Sequence, residues 1–137
     1  MPRSTQIYGL DTSVFVRLLT GHPEADFQKT ALALKALHEN LPSTELVVSN
    51  QVIGEAYITL QHFYKISKGD ARQAILDLFA SGNVSPLNGA PTYEILADSS
   101  GAGLMDRLIV EDYSLRGVTV LTNDKHMAKV EGAKLLK

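Results

Sequence analysis

Four acidic residues stand where a chain readily aims carboxylates toward a shared point. Asp11 follows the apolar run Gln6-Ile-Tyr-Gly-Leu10 and precedes Thr12 and Ser13, while Asp124 follows Gly117-Val-Thr-Val-Leu-Thr-Asn123. Asp106 lies in Gly103-Leu-Met-Asp106-Arg-Leu-Ile-Val110, at the start of a helical pattern, and Glu55 occupies an early turn of another. Unpaired acids gathered at one place repel, and some take up protons unless cations hold them apart. Oxygen-only donors suit a hard, octahedral ion such as Mg²⁺ or Mn²⁺, which needs only one or two protein carboxylates in direct contact. Ions of this kind activate water, orient a phosphodiester and stabilise the leaving oxygen, so phosphodiester hydrolysis is the chemistry that fits the pattern. Each acid alone also has a plainer account. Asp11 can cap a helix, Asp106 and Asp124 can meet helix dipoles, and Glu55 can be a solvated surface residue.

The elements that must position these acids alternate. A strand is expected over 6–10, then a short helix with Val14, Phe15, Leu18 and Leu19, broken at Gly21-His-Pro23. The second helix covers 24–40, with Phe27, Ala31, Leu34, Leu37 and Leu41 at three- and four-residue spacings. Glu45-Leu-Val-Val48 reads as a strand, and either Ser49 or Asn50 can cap the third helix, 51–65, whose stripe is Ile53, Ala56, Tyr57, Leu60, Phe63 and Tyr64. A fourth helix over 69–81 buries Ala71, Ala74, Ile75, Leu78 and Phe79. A strand near Val84, a helix over 92–98, a flexible connection over 99–103, a helix over 105–116, a strand over 118–122, a turn or short helix over 124–130 and an edge strand near 134–136 complete the chain. This order implies a mostly parallel sheet covered by helices, with a site at the carboxyl ends of its strands. All four acids are expected on that edge.

Composition limits the partners. A chain of 137 residues that is 45% hydrophobic suits one domain over 1–137. The absence of cysteine excludes disulfides, thiolate ligation and a cysteine nucleophile, and it suits a cytoplasmic protein. No signal segment and no membrane-length apolar run is visible. With 13 Lys and Arg against 15 Asp and Glu, the net charge of −2 provides no global basic field, so a polyanionic substrate needs metal ions or a local basic patch.

Leu10-Asp-Thr-Ser-Val-Phe-Val16, Val52-Ile-Gly-Glu-Ala56, Met105-Asp-Arg-Leu-Ile109 and Val120-Leu-Thr-Asn-Asp-Lys-His-Met127 follow one another across almost the whole chain. In that order they resemble the PIN-domain family, and within it the small VapC-like ribonuclease toxins. The resemblance implies a three-layer α/β/α sandwich around a mostly parallel sheet, and Mg²⁺- or Mn²⁺-dependent endonuclease action on RNA. It also implies a homodimer and a small cognate antitoxin that covers or distorts the site. Asp11, Glu55, Asp106 and Asp124 correspond to the family's acids. Asp11 and Asp106 are expected to ligate metal, with Asp124 completing the set or holding a metal-bound water, and Glu55 orients that water or acts as general base. Thr12, Ser13 or Thr122 supplies a hydroxyl to a ligating carboxylate or a phosphate. Asn123 does the same or forms a turn, and Arg107 and Lys125 are phosphate contacts or ordinary surface charges.

Two places strain this reading. The phase of the 105–116 helix puts Asp112 among Met105, Leu108, Ile109 and Leu115, where a buried carboxylate is costly unless Arg116 pairs with it. The chain is also acidic, and Lys65, Lys68 and Arg72 form its local basic cluster, either a phosphate path or a solvated helix end. The histidines 22, 38, 62 and 126 show no zinc-ligand spacing. Two other functions stay open: a PIN-like module that binds nucleic acid or protein without cutting, and a phosphohydrolase forming a phospho-aspartate. Against the latter, Ser13 occupies the position where such enzymes place a second aspartate.

Overall fold

The structure, a computed structural model, describes residues 6–100 and 102–136; of the expected 99–103 connection, Gly101 lies outside the described residues. Strand β1 (Ile7–Gly9) leads into α1 (Thr12–Thr20), which Gly21 closes in the left-handed conformation, φ 63°, with its N–H on the Arg17 carbonyl. Helix α2 (Glu24–Asn40) follows and packs on α1. None of its residues is fully buried: Phe27, Ala31, Leu34 and Leu37 are half-buried, whereas Leu32 and Leu41 are exposed. Strand β2 (Glu45–Val48) buries Leu46 and Val48 and runs into α3 (Asn50–His62). Ser49 caps that helix, its hydroxyl accepting from the Val52 N–H at 3.3 Å, so Asn50 becomes the first helical residue and turns inward.

Helix α3 stops earlier than its apolar stripe predicts. Ile53, Ala56, Tyr57 and Leu60 are buried, but Phe63 lies past the helix end and is 76% exposed. The chain turns there because Lys65 adopts φ 58° and the Ile66 N–H returns to the Leu60 carbonyl at 2.9 Å. Helix α4 (Lys68–Ala80), capped by Ser67, buries Ala71, Ile75 and Phe79, while Ala74 and Leu78 are half-buried; the Phe79 ring stacks on Phe15 of α1 at 5.9 Å between centroids. Strand β3 (Ser85–Pro86) and α5 (Ala90–Ala97) come next, the latter starting two residues before the expected boundary with Pro91 in its first turn, where the missing N–H costs nothing. Helix α6 (Leu104–Ser114), β4 (Val120–Thr122), a 3₁₀ turn (Met127–Lys129) and β5 (Ala133–Leu135) end the chain. Strand β4 starts later than position 118 because the Val118 N–H still bonds to the Tyr113 carbonyl in the exit turn of α6.

Every ladder is parallel, and the fold is α/β as the element order implies. The strands form two ladders, β1-β2-β3 and β4-β5. The interior divides similarly. Leu104 and Leu108 of α6 join the main core with Phe15, Ile53, Leu60 and Ile75, whereas Val110 joins Val120 and Met127 in a smaller one. Helix α6 therefore belongs to both cores.

A buried polar network fastens α6 to α3 and α5. Glu111, 8% exposed, accepts on Oε1 from Asn50 Nδ2 at 2.8 Å, Thr92 Oγ1 at 2.7 Å and Asn88 Nδ2 at 3.0 Å. Asn50 Nδ2 also donates to the Leu108 carbonyl at 3.0 Å, and Asn50 Oδ1 accepts from Thr92 at 3.2 Å. Glu111 Oε2 is buried with no hydrogen-bond partner among the described residues. The helix phase thus differs from expectation: Glu111 is the buried acid, and Asp112 is exposed, accepting from Asn88 at 2.9 Å and making no ion pair with Arg116. Replacing Asn50 strips donors from a buried carboxylate, and an unmet buried group costs about 1–3 kcal/mol. Asn50→Ala should lower the urea unfolding free energy by about that amount at an unchanged m-value; wild-type stability in this variant would show that the network contributes nothing net.

Candidate active site

Asp11 leaves β1 in extended geometry and caps α1. Its Oδ1 accepts from the Val14 N–H at 3.0 Å and the Ser13 hydroxyl at 2.7 Å. The Ser13 hydroxyl, and after it the Val14 N–H, hold the Asp11 carboxyl below the ordinary aspartate value. The next residue reaches a different acid: Thr12 Oγ1 donates to Glu55 Oε2 at 2.5 Å, across the α1–α3 contact. Gln51, one turn earlier on α3, donates to Glu55 Oε1 at 3.2 Å. The Thr12 hydroxyl first and the Gln51 amide second lower the Glu55 pKa. Two consecutive hydroxyls therefore serve two carboxylates, and Asp11-Thr12-Glu55 is a joined unit.

Asp106 lies across the α3–α6 contact. A Cβ on Gly54 would come within 2.6 Å of Met105 Sδ, so the glycine leaves room for the Met105 thioether at the residues immediately before Glu55 and Asp106. Asp106 is half-buried and makes neither a hydrogen bond nor an ion pair with any described residue. Glu55 opens onto a groove of about 700 Å³ between α3 and α6, walled by Met105, Ile109, Asp112, Tyr113 and Arg116. The fourth acid serves its own turn: Asp124 Oδ1 accepts from the His126 N–H at 2.7 Å and the Met127 N–H at 3.3 Å, and the Asp124 N–H donates to Thr122 Oγ1 at 3.0 Å. The Thr122 hydroxyl thus meets backbone and not a carboxylate. Asn123 and Lys125 are exposed, and neither makes a side-chain hydrogen bond or an ion pair with any described residue.

Among the described residues, no group of three or more histidine, aspartate or glutamate side chains is gathered closely enough to hold a metal ion. The donor chemistry nevertheless fits Mg²⁺ or Mn²⁺. The oxygens are hard, hydroxyl donors favour the ionised forms of Asp11 and Glu55, and the Asp106 carboxylate, with no donor among the described residues, is open to a cation.

The arginines behave differently from their reading in the sequence. Arg107 Nε donates to the Ala102 carbonyl at 3.0 Å, its NH2 nitrogen to the carbonyls of Ser100, at 2.8 Å, and Asp98, and NH1 lies 3.6 Å from the Asp98 carboxylate. Its role in this structure is to hold the loop that leads into Asp106. Arg72, expected either on a phosphate path or at a solvated helix end, is 8% exposed and donates to the carbonyls of Ile95, Leu96 and Asp98 at the end of α5. The loop before α6 is thus held by two guanidinium groups that share the Asp98 carbonyl. Sequence reasoning missed Gln51 as a partner of Glu55, although its four-residue offset on a helix was a usable signal.

A model of the PIN domain family matches residues 8–133 of the chain. No curated protein and no solved structure gives a significant match.

The two lowered carboxylates give a defined pH response. Each is more acidic folded than unfolded, so each favours the folded state above the ordinary values of 3.8 and 4.5, and that contribution is lost as the pH falls through the folded pKa. Thr12→Val should move the Glu55 pKa upward toward 4.5 in a carboxyl ¹³C NMR titration while leaving Asp11 in place. A Glu55 pKa unmoved by this change would contradict the bridging hydrogen bond.

Proposed function

The chain belongs to the PIN-domain family, and from that membership we propose that it is a Mg²⁺- or Mn²⁺-dependent endoribonuclease, the VapC-like toxin of a toxin–antitoxin pair. The observation that carries this reading is the pair of acids, Asp11 and Glu55, each held by one of two consecutive hydroxyls, Ser13 and Thr12, in a chain of that family. In the proposed site Asp11 and Asp106 hold the ion and Asp124 completes the set. The bound ion supplies Lewis-acid activation of water and charge stabilisation at the phosphorus. Glu55, kept ionised by Thr12 and Gln51, accepts the proton of the attacking water, and Thr12 fixes the carboxylate for that transfer. Ser13 holds Asp11 in one rotamer, so the acid that meets the ion is already ordered. Arg107 keeps the 98–102 loop shaped so that Asp106 enters α6 in a fixed position, and Lys125, with its exposed ammonium, remains the candidate for a substrate phosphate. A cytoplasmic homodimer held in check by a small cognate antitoxin belongs to the same proposal. Among the described residues no helix is long and apolar enough to cross a membrane, which accords with it.

A binding-only module is the second reading, favoured by the lack of a three-acid metal set among the described residues. Cleavage of a structured RNA pool and a matched single-stranded DNA separates the two. The nuclease reading predicts RNA cuts with Mg²⁺ or Mn²⁺ that vanish in EDTA and fall at least about a hundredfold in Asp11→Asn, the scale of losing one group that stabilises a transition state. Failure of the folded wild type to cut any RNA with either ion would favour the binding module.

A further inference from the structure

Next to the acid pair lies a second concavity whose chemistry differs from that of the groove. Its near wall is Thr12 and Ser13, the two hydroxyl residues that hold Glu55 and Asp11; its far wall is Arg17, His22 and Tyr64. At about 340 Å³ it falls within the roughly 300–1,000 Å³ typical of small-ligand clefts. Arg17 is the unusual feature. The Arg72 and Arg107 side chains donate to backbone carbonyls, whereas among the described residues the Arg17 guanidinium makes no side-chain hydrogen bond and meets only Asp26, at 3.9 Å. Its side chain is one-third exposed, with donors free to face a ligand.

Aromatic rings continue the surface outward. The Tyr64 ring meets His22 edge-on with centroids 6.3 Å apart and Phe63 at 5.1 Å, and Phe63 is 76% exposed. An exposed phenylalanine is held there by the left-handed turn at Lys65, a conformation that costs a non-glycine residue energy and that tends to persist where a site requires it. A guanidinium held by only one long, partly exposed ion pair, to Asp26, beside a run of rings is a combination that can hold single-stranded nucleic acid: the cation takes a phosphate, and each ring offers a face to a base. In a chain of net charge −2, it also provides the local positive charge that a polyanion needs close to the acids.

We infer that Arg17, His22, Tyr64 and Phe63 form a subsite for single-stranded RNA, in which Arg17 contacts a backbone phosphate one or two nucleotides from the acid pair and the tyrosine and phenylalanine rings stack on bases. The inference rests on the nuclease reading for its substrate class. Its test does not depend on cleavage. In an Asp11→Asn background, which keeps the probe intact and leaves the subsite unchanged, fluorescence anisotropy measures binding of fluorescein-labelled octauridylate and octaadenylate with Mg²⁺ at several salt concentrations. Adding Arg17→Gln should weaken binding about fivefold or more and reduce the salt slope by about 0.7, the share of one phosphate on a single strand. Adding Tyr64→Leu should weaken binding by a similar factor at an unchanged slope, and Tyr64→Phe should restore it, with matched thermal unfolding excluding a folding defect. Parent-like binding by both Arg17→Gln and Tyr64→Leu overturns the subsite while leaving the nuclease reading intact if the wild type cuts RNA. No binding of either oligonucleotide by the parent or the wild type overturns the subsite and removes the nuclease reading's substrate.

Discussion

Helix α3 has to touch α1, α4 and α6 at once, and most of the site follows from how its thirteen residues meet that demand. Ile53, Ala56, Tyr57 and Leu60 face the main core, so the remaining faces must serve other helices. Gly54 leaves room for the Met105 thioether of α6, and Asn50, buried in the first turn, replaces lost water contacts with bonds to α6. One residue past Gly54, Glu55 is left on the outer face, where Thr12 of α1 reaches it. Moving α3 would separate Glu55 from Thr12. The geometry of the candidate site is thus a consequence of core packing.

Electrostatics divides the cations into two sets. Arg72 and Arg107 terminate α5 and shape the loop before α6, a structural use of charge in which a guanidinium satisfies several carbonyls at once. Arg17, Lys65 and Lys125 stay available at the surface near the proposed substrate path. For an acidic chain this division matters, because Asp11 and Glu55 are favoured in their ionised forms by hydroxyls and amides and not by neighbouring cations. A bound ion and a phosphate would therefore meet carboxylates whose charge has not already been neutralised.

Much of this was legible from local spacing. Apolar stripes located most of the helices, short apolar runs located the strands, and the acid following β1 was visible as both a cap and a candidate ligand. What escaped depended on partners far apart in the chain. Glu111 is buried because Asn50, Thr92 and Asn88, at separations of 61, 19 and 23 residues, bring it donors, and no spacing rule within α6 distinguishes it from Asp112. The burial of Arg72 reflects the position of the α5 terminus, which is equally non-local. Phe63 was assigned to the core because its offset matches the stripe of α3, yet the turn at Lys65 ends the helix first. The division of the strands into two ladders depends on the long connection through α5 and α6.

The account stands or falls on whether Thr12 acts through Glu55. A double-mutant cycle on metal-dependent RNA cleavage, with Thr12→Val, Glu55→Gln and the combined variant, measures that coupling directly. Removing the hydroxyl should slow the wild type by about 10–100-fold, the usual scale for a group that orients a catalytic residue, and should slow Glu55→Gln scarcely at all. Multiplicative losses in the combined variant, or full activity in Thr12→Val, would contradict it.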